Sequence, residues 1–165
     1  MEQTKTVRPR NWLYELLVCL EILLILAIWW ILTESRKKAF LFGALTYFSL
    51  AWPLRLTLQW NHRKGIQFFQ RRNYKEAATA FQKSFDFFSV HPWIDKYRFV
   101  TMFSTSALPY QQMALHNMGL CYLYMGENEK ALQTLQKLAQ MNSSYPNIAK
   151  TIEEIQKHIN EEATH

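Results

Sequence analysis

Cysteine and glycine are scarce in this sequence. Its two cysteines, Cys19 and Cys121, have neither a CxxC partner nor the spacing of metal ligands, so no disulfide framework or zinc site is indicated. Four glycines in 165 residues leave little for a phosphate-binding loop. The sequence also lacks a nucleophile elbow, an HExxH motif and paired carboxylates. We therefore expect no enzyme, no cofactor, no metal and no small-molecule substrate.

Acidic residues are missing from one long stretch, where basic residues are frequent. Residues 39–72 hold five Lys or Arg and no Asp or Glu, within a chain of net charge +6. A nucleic-acid-binding protein would spread such charge over a folded face. Basic residues beside apolar spans are instead typical of the cytoplasmic side of a membrane. We therefore expect no nucleic-acid partner.

Two long apolar runs are present near the N-terminus. The first covers residues 11–32, long enough to cross a hydrocarbon core of about 30 Å. The second, residues 39–54, is shorter and reaches spanning length only if Arg55 extends its side chain toward the interface. We predict a membrane anchor over residues 1–58, with helices at about 11–33 and 39–57. One span followed by an interfacial helix is the alternative.

The basic residues that flank these runs predict the orientation. The two outer flanks carry more positive charge than the connecting turn with its Arg36, Lys37 and Lys38; their basic residues are Lys5, Arg8, Arg10, Arg55, Arg63, Lys64, Arg71 and Arg72. This places the N-terminus and the C-terminal part in the cytoplasm. Few cysteines, short loops and many aromatic residues favour a bacterial inner membrane.

Glu21 lies inside the first apolar run, where an ionisable side chain is costly. In a two-helix hairpin Glu21 and Arg55 come to similar depths, so we predict an intramembrane pair between them. A neutral or snorkelling glutamate is the simpler interpretation. An ion or proton pathway is a third, although two short spans supply few polar partners.

A second pattern repeats in the remainder of the chain. When Gly65 is aligned with Gly119, Phe68 falls on Tyr122, Ala77 on Ala131 and Phe81 on Leu135. The spacing Gly-x2-aromatic-x8-Ala-x3-apolar therefore occurs twice. It resembles the tetratricopeptide repeat, a pair of antiparallel helices, A and B, whose small residues let the two helices approach closely.

The resemblance implies an all-α fold, in which residues 59–165 form a cytoplasmic α-solenoid of two helical hairpins. We predict repeat 1 at about 58–91, an inserted helix at about 93–104, repeat 2 at about 110–144 and a capping helix at about 146–162. Trp93, Tyr97 and Val100 have the spacing of a short helix. The capping helix carries isoleucines at helical spacing along one face; they are Ile148, Ile152, Ile155 and Ile159.

The resemblance also implies a binding groove lined by the A helices. The residues that fall on it are His62, Ile66, Phe69, Gln70, Met113, His116, Asn117, Leu120, Leu123 and Tyr124. They are mostly apolar, which favours an apolar or aromatic peptide over a terminal carboxylate. The alternative is that the inserted helix covers this groove as part of the core. His62 and His116 occupy equivalent repeat positions, but no third metal ligand accompanies them.

These patterns predict a membrane-anchored scaffold that holds a protein partner, or a second copy of itself, beside the inner leaflet. One alternative is a structural or assembly subunit whose hairpin packs against the spans of a larger membrane complex. Another is a membrane enzyme or transporter component that uses Glu21. A self-associating module is a third.

Overall fold

The computed structural model describes residues 11–33 and 35–163, and every regular element in that part of the chain is a helix. The helices are α1 Trp12–Thr33, α2 Arg36–Leu58, α3 Trp60–Gln70, α4 Tyr74–Val90, α5 Pro92–Lys96, α6 Arg98–Thr101, α7 Tyr110–Tyr124, α8 Asn128–Met141 and α9 Ile148–Ala163. The predicted all-α fold is confirmed. Three residues that were used to predict the orientation, Lys5, Arg8 and Arg10, lie outside the described residues.

The chain divides into two compact units that are discontinuous in sequence. One contains residues 61–90 and everything described from 108 onward, while the other contains the described residues up to 60 together with 91–107. The predicted division into 1–58 and 59–165 therefore needs correction. The segment between α4 and α7 packs with α1 and α2, and we call residues 91–107 the inserted segment.

Helices α1 and α2 form an antiparallel hairpin through contacts between their facing sides. The indole N–H of Trp29 donates a hydrogen bond to Thr46 Oγ1 at 3.0 Å, and the Trp29 ring stacks on Phe42 at 4.9 Å between centroids. Gly43 lies so close to Leu26 that an added Cβ would come within 2.7 Å of Leu26 Cδ2. A small residue at this position permits the close approach of the two helices.

Both helices of this hairpin are long and apolar enough to cross a membrane, judged by length and composition. Their apolar side chains are nevertheless largely uncovered, because only 6% of the most apolar window of α1 and 17% of that of α2 is buried. A continuous apolar surface that the protein leaves uncovered marks an interaction site or a membrane-facing region. The core helix of a water-soluble domain would instead be mostly buried.

The structure does not form the predicted pair between Glu21 and Arg55. Arg55 Nε–H donates to the carbonyl oxygen of Met102 at 3.2 Å, and its Nη2 donates to the carbonyl oxygen of Phe103. Both carboxylate oxygens of Glu21 are buried, and no residue in 11–33 or 35–163 forms a hydrogen bond with them. The prediction was wrong because the guanidinium group binds backbone carbonyls of the inserted segment, which comes much later in the sequence.

The inserted segment is not the single helix that we predicted for residues 93–104. It forms two short helices, α5 and α6, which are separated at Tyr97, and it continues as irregular backbone. Pro92 occupies the first turn of α5, where its missing N–H costs nothing. Phe103 has a φ of 47°, a left-handed conformation that does not continue a helix.

In the other unit, the two repeats and the last helix share one apolar core. Ala77 and Phe81 from α4, Ala114 from α7 and Leu135 from α8 all belong to it. Helix α9 covers the end of this core with one face, on which Ile148 and Ile155 are buried while Ile152 and Ile159 are partly buried. This is the arrangement expected of a helix that caps a solenoid.

Helix A ends in the same way in both repeats. In the first, the N–H groups of Asn73 and Arg72 donate to the carbonyls of Phe68 and Phe69, each at 3.0 Å. The equivalent bonds in the second repeat join Glu127 to Tyr122 at 2.9 Å and Gly126 to Leu123 at 3.0 Å. The residue that takes the left-handed conformation is Arg72 in one repeat and Gly126 in the other. These positions have the same offset as Gly65 and Gly119, which establishes the register of the repeats.

Candidate functional site

The ten residues predicted to line a groove lie on α3 and α7, but half of them are buried. The side chains of His62, Ile66, Met113, Asn117 and Leu120 belong to the interior. Phe69, His116 and Leu123 are half-buried, and Gln70 and Tyr124 are exposed. The accessible part of the predicted groove is therefore limited to the C-terminal ends of the two A helices and to His116.

His62 is a core residue. Its ring meets Phe81 and Tyr110 edge-on, with centroids at 5.5 Å and 5.1 Å. Such edge-to-face contacts are a favourable way to pack aromatic rings in an interior. The sequence pattern could not reveal this burial, because Tyr110 lies far from His62 along the chain.

His116 has different surroundings, although it occupies the equivalent repeat position. Its ring lies 5.2 Å from that of Tyr145, in the connection before α9. Burial lowers the pKa of His116, so the imidazole is uncharged at neutral pH. The described residues contain no group of three or more His, Cys, Asp or Glu that could hold a metal ion.

Asn117 carries an unusual polar group for an interior. Its side chain is only 1% exposed, and among the described residues its amide is unsatisfied apart from an interaction with the neighbouring His116. An unsatisfied buried amide costs about 1–3 kcal/mol. Asn117 lies one helical turn from Leu120 on the face predicted to line the groove.

An aromatic cluster forms where the two A helices end. The rings of Tyr74 and Tyr124 stack at 4.9 Å with an interplanar angle of 13°, and the Phe69 ring packs edge-on against both, at 5.4 Å and 5.6 Å. We call these three residues the aromatic cluster. Tyr124 is 37% exposed, and the other two are half-buried.

The aromatic cluster joins the two repeats, since Phe69 and Tyr74 come from the first and Tyr124 from the second. Sequence reasoning identified Phe69 and Tyr124 but missed Tyr74, because Tyr74 opens helix B and the family resemblance points to helix A. The sequence feature that could have identified Tyr74 is its position directly after the turn that contains Arg71 and Arg72. Those two arginines and Lys75, which flank Tyr74 in the sequence, are exposed.

Comparison with known families supports the assignment of the second repeat. Residues 113–147 match a family model described as the tetratricopeptide repeat. Comparison with the curated proteins and with the solved structures gives no match. The matched residues cover most of α7, all of α8 and the connection to α9. Residues 113–147 are therefore similar to one tetratricopeptide repeat, which supports a repeat-like fold for this part of the chain.

Proposed function

We propose that this chain is a membrane-anchored scaffold whose aromatic cluster binds a protein partner on the cytoplasmic side of the inner membrane. The observation that carries the proposal is the partly exposed, stacked pair of Tyr74 and Tyr124. Tetratricopeptide repeats generally mediate contacts between proteins. Aromatic side chains are also enriched among the residues that dominate binding energy at protein interfaces.

The anchorage is supported by the uncovered apolar sides of α1 and α2. Their exposed side chains include Leu23, Leu24 and Ile31 on α1 and Phe40 and Phe48 on α2. The cytoplasmic placement of the repeats is supported by the excess of basic residues that follows α2 in the sequence.

The connectivity of the chain strengthens the scaffold proposal. Within the described residues the chain passes between the two units after residue 60, after residue 90 and after residue 107. The two repeats are therefore separated in the sequence by a segment of the unit that contains the apolar hairpin. Holding a binding surface near a membrane raises its effective concentration toward partners in the same membrane.

The chemistry of the surface indicates the kind of partner. The aromatic cluster offers apolar area, and the exposed basic residues Arg71, Arg72 and Lys75 flank Tyr74 in the sequence. Complementary charges steer association and favour the correct register. We therefore propose a partner segment that carries aromatic or apolar residues together with acidic ones, or a second copy of this chain that presents such a segment.

Crosslinking in native membranes tests this proposal. A photoreactive amino acid in place of Tyr124, in the full-length chain, is expected to give a discrete adduct that is retained after detergent extraction. Its yield is expected to fall at least severalfold when Tyr74→Ala removes the stacked ring. The matched control carries the same photoreactive group at Glu129, an exposed residue of α8, and should not give the adduct.

The outcomes separate the proposal from its alternatives. An adduct that forms equally well from positions 124 and 129, or whose yield is indifferent to Tyr74→Ala, would contradict a role for the aromatic cluster. An adduct of twice the mass of the chain would identify a second copy as the partner. Products that link position 124 only to residues of its own chain would refute a binding surface there.

A structural subunit of a larger membrane complex is the second candidate function, and Glu21 favours it. Both of its carboxylate oxygens are buried in the apolar hairpin, and no residue that the structure describes hydrogen-bonds to them. Ionisable residues inside membrane spans usually pair with another polar group. A donor from the span of another protein would satisfy this carboxylate.

This second candidate predicts that Glu21→Gln reduces the amount of the protein that migrates in a high-mass complex, as measured by native gel electrophoresis of mild detergent extracts. Glu15→Gln is the matched control near the start of the same helix. A Glu21→Gln protein that assembles normally would exclude the subunit hypothesis for this residue.

A further inference from the structure

The inserted segment is held against both helices of the apolar hairpin by contacts at separate points. The backbone N–H of Asn11 donates to the carbonyl of Thr105 at 3.0 Å, just before α1 begins. The ring of Phe99 stacks on Tyr14 of α1 at 5.7 Å with an interplanar angle of 11°. The segment therefore packs at the end of the hairpin where α1 starts and α2 finishes.

One residue of the segment reaches farther along the hairpin. The Phe103 ring meets Tyr47 edge-on, with centroids at 5.2 Å. Tyr47 precedes the last residue of α2, Leu58, by 11 positions, which corresponds to about 16 Å of helix. Tyr47 lies within α2, one of the two helices that are long and apolar enough to cross a membrane. The apolar tip of the inserted segment thus lies beside residues that the anchor places within the bilayer.

Two arginines satisfy the irregular backbone of this segment. Arg98 is only 4% exposed, and its guanidinium group donates three hydrogen bonds of 2.9 Å to the carbonyls of Asp95, Ser106 and Ala107. Arg55 donates to two more carbonyls, those of Met102 and Phe103. Carbonyls at a water-exposed surface bind solvent, whereas irregular backbone at membrane depth needs donors from the protein itself. This arrangement therefore matches a segment that water does not fully hydrate.

The segment buries two charged side chains and exposes several apolar ones, although Ile94, Met102 and Phe103 are buried as well. Charged Asp95 and Arg98 point inward and are buried. Trp93, Tyr97 and Val100 are 58%, 48% and 49% exposed. Large apolar side chains that stay exposed beside buried charges are expected where the surroundings are lipid.

We propose that the inserted segment lies in the interfacial layer of the bilayer, with Trp93, Tyr97 and Val100 in contact with lipid. The inference rests on the membrane anchorage proposed above. Lipid is the occupant because this face belongs to the same compact unit as the uncovered sides of α1 and α2. Tryptophan and tyrosine concentrate at membrane interfaces, where the ring is buried and its polar edge reaches water. The Lys96 ammonium, 5.3 Å from the Tyr97 ring centroid, suits the headgroup side of such a layer.

Spin labels on the full-length chain in phosphatidylcholine vesicles test the proposal. Cys19 is exposed and is first replaced by serine, whereas burial raises the pKa of Cys121 to about 12 and leaves that thiol unreactive. Labels are then attached at Val100→Cys and, separately, at Leu24→Cys and Glu153→Cys. Leu24 on α1 is 64% exposed and reports on the anchor, and Glu153 is an exposed residue of α9. Collision rates with oxygen and with a water-soluble nickel complex are measured by power saturation.

The label at Val100 is expected to collide more often with oxygen than with the nickel complex, as is the label at Leu24, while the order reverses at Glu153. If Val100 behaves like Glu153 while Leu24 reports lipid, the anchor stands and the interfacial segment is refuted. If the Val100 label is shielded from both reagents, a protein covers this face and the lipid assignment is wrong. If Leu24 itself collides mainly with the nickel complex, the proposed anchorage fails, and this inference fails with it.

Discussion

Gly119→Ala is expected to loosen the second repeat, although alanine is the better helix former. A Cβ added at Gly119 would lie 2.7 Å from both Cγ and Cδ2 of Leu135, so α7 and α8 would have to move apart. Overpacking of this kind costs about 1–3 kcal/mol. At an exposed helix position the same replacement raises the free energy of unfolding by about 0.5–1 kcal/mol. A decrease would therefore show that the contact with Leu135 outweighs the better helix propensity of alanine.

Hydrogen exchange with mass detection on the full-length protein measures this change. Peptides from α7 and α8 should exchange faster, because local opening becomes less costly, while peptides from α1 and α2 should be unaffected. Adding Leu135→Ala supplies the matched test. It removes the atoms that the new Cβ would meet, so the double variant should be less destabilised than the sum of the two single variants. Additive effects would show that the contact between Gly119 and Leu135 does not set the spacing of α7 and α8.

The first repeat provides an independent instance of the same contact. A Cβ at Gly65 would lie 2.7 Å and 2.8 Å from two ring atoms of Phe81. A planar ring cannot yield by a simple rotation of its terminal carbons, as a leucine side chain can. We therefore expect Gly65→Ala to cost at least as much as Gly119→Ala, with faster exchange in peptides from α3 and α4.

These glycines also show why the sequence predicts so much of the repeat fold. Gly65 meets Phe81 and Gly119 meets Leu135, so each glycine of the repeated spacing faces the apolar residue that ends the same spacing. Contacts between helices that are neighbours along the chain produce a repeated spacing in the sequence, because each small residue must face a large one at a fixed offset. The isoleucine face of α9 could also be predicted from the sequence, because its isoleucines recur at the spacing of a helix.

The parts that the sequence could not predict depend on contacts between distant residues. Arg55 was expected to meet Glu21, but its guanidinium group binds carbonyls of the inserted segment. Backbone carbonyls are the same at every residue, so no side-chain pattern indicates which of them an arginine will bind. The aromatic cluster was only partly predicted because Tyr74 and Tyr124 come from different repeats. Its assembly follows from how α3, α4 and α7 pack, which the periodicity of one helix does not encode.

Arg98→Met should have the other large effect, and it acts on the inserted segment. The substitution keeps an unbranched apolar side chain but removes three hydrogen bonds to carbonyls and the guanidinium group that lies 4.8 Å from the Tyr14 ring centroid. Bonds from charged donors contribute about 1.5–3 kcal/mol each, and the buried carbonyls that lose their donor add a desolvation cost. Burying the charge of Arg98 has a cost that the substitution removes. After this cost is subtracted, we expect the free energy that holds the inserted segment in place to fall by at least about 3 kcal/mol.

Two variants control for this result, and hydrogen exchange in peptides from residues 91–107 provides the measurement. Lys96→Met removes a neighbouring charge that is exposed, so exchange should be nearly unchanged. Arg98→Lys should be intermediate, because an ammonium group keeps the charge but lacks the planar fork that reaches three carbonyls at once. If Arg98→Met leaves the segment as protected as before, its backbone does not depend on this donor. In that case apolar packing of Met102 and Phe103, both buried, would be what holds the segment on the hairpin.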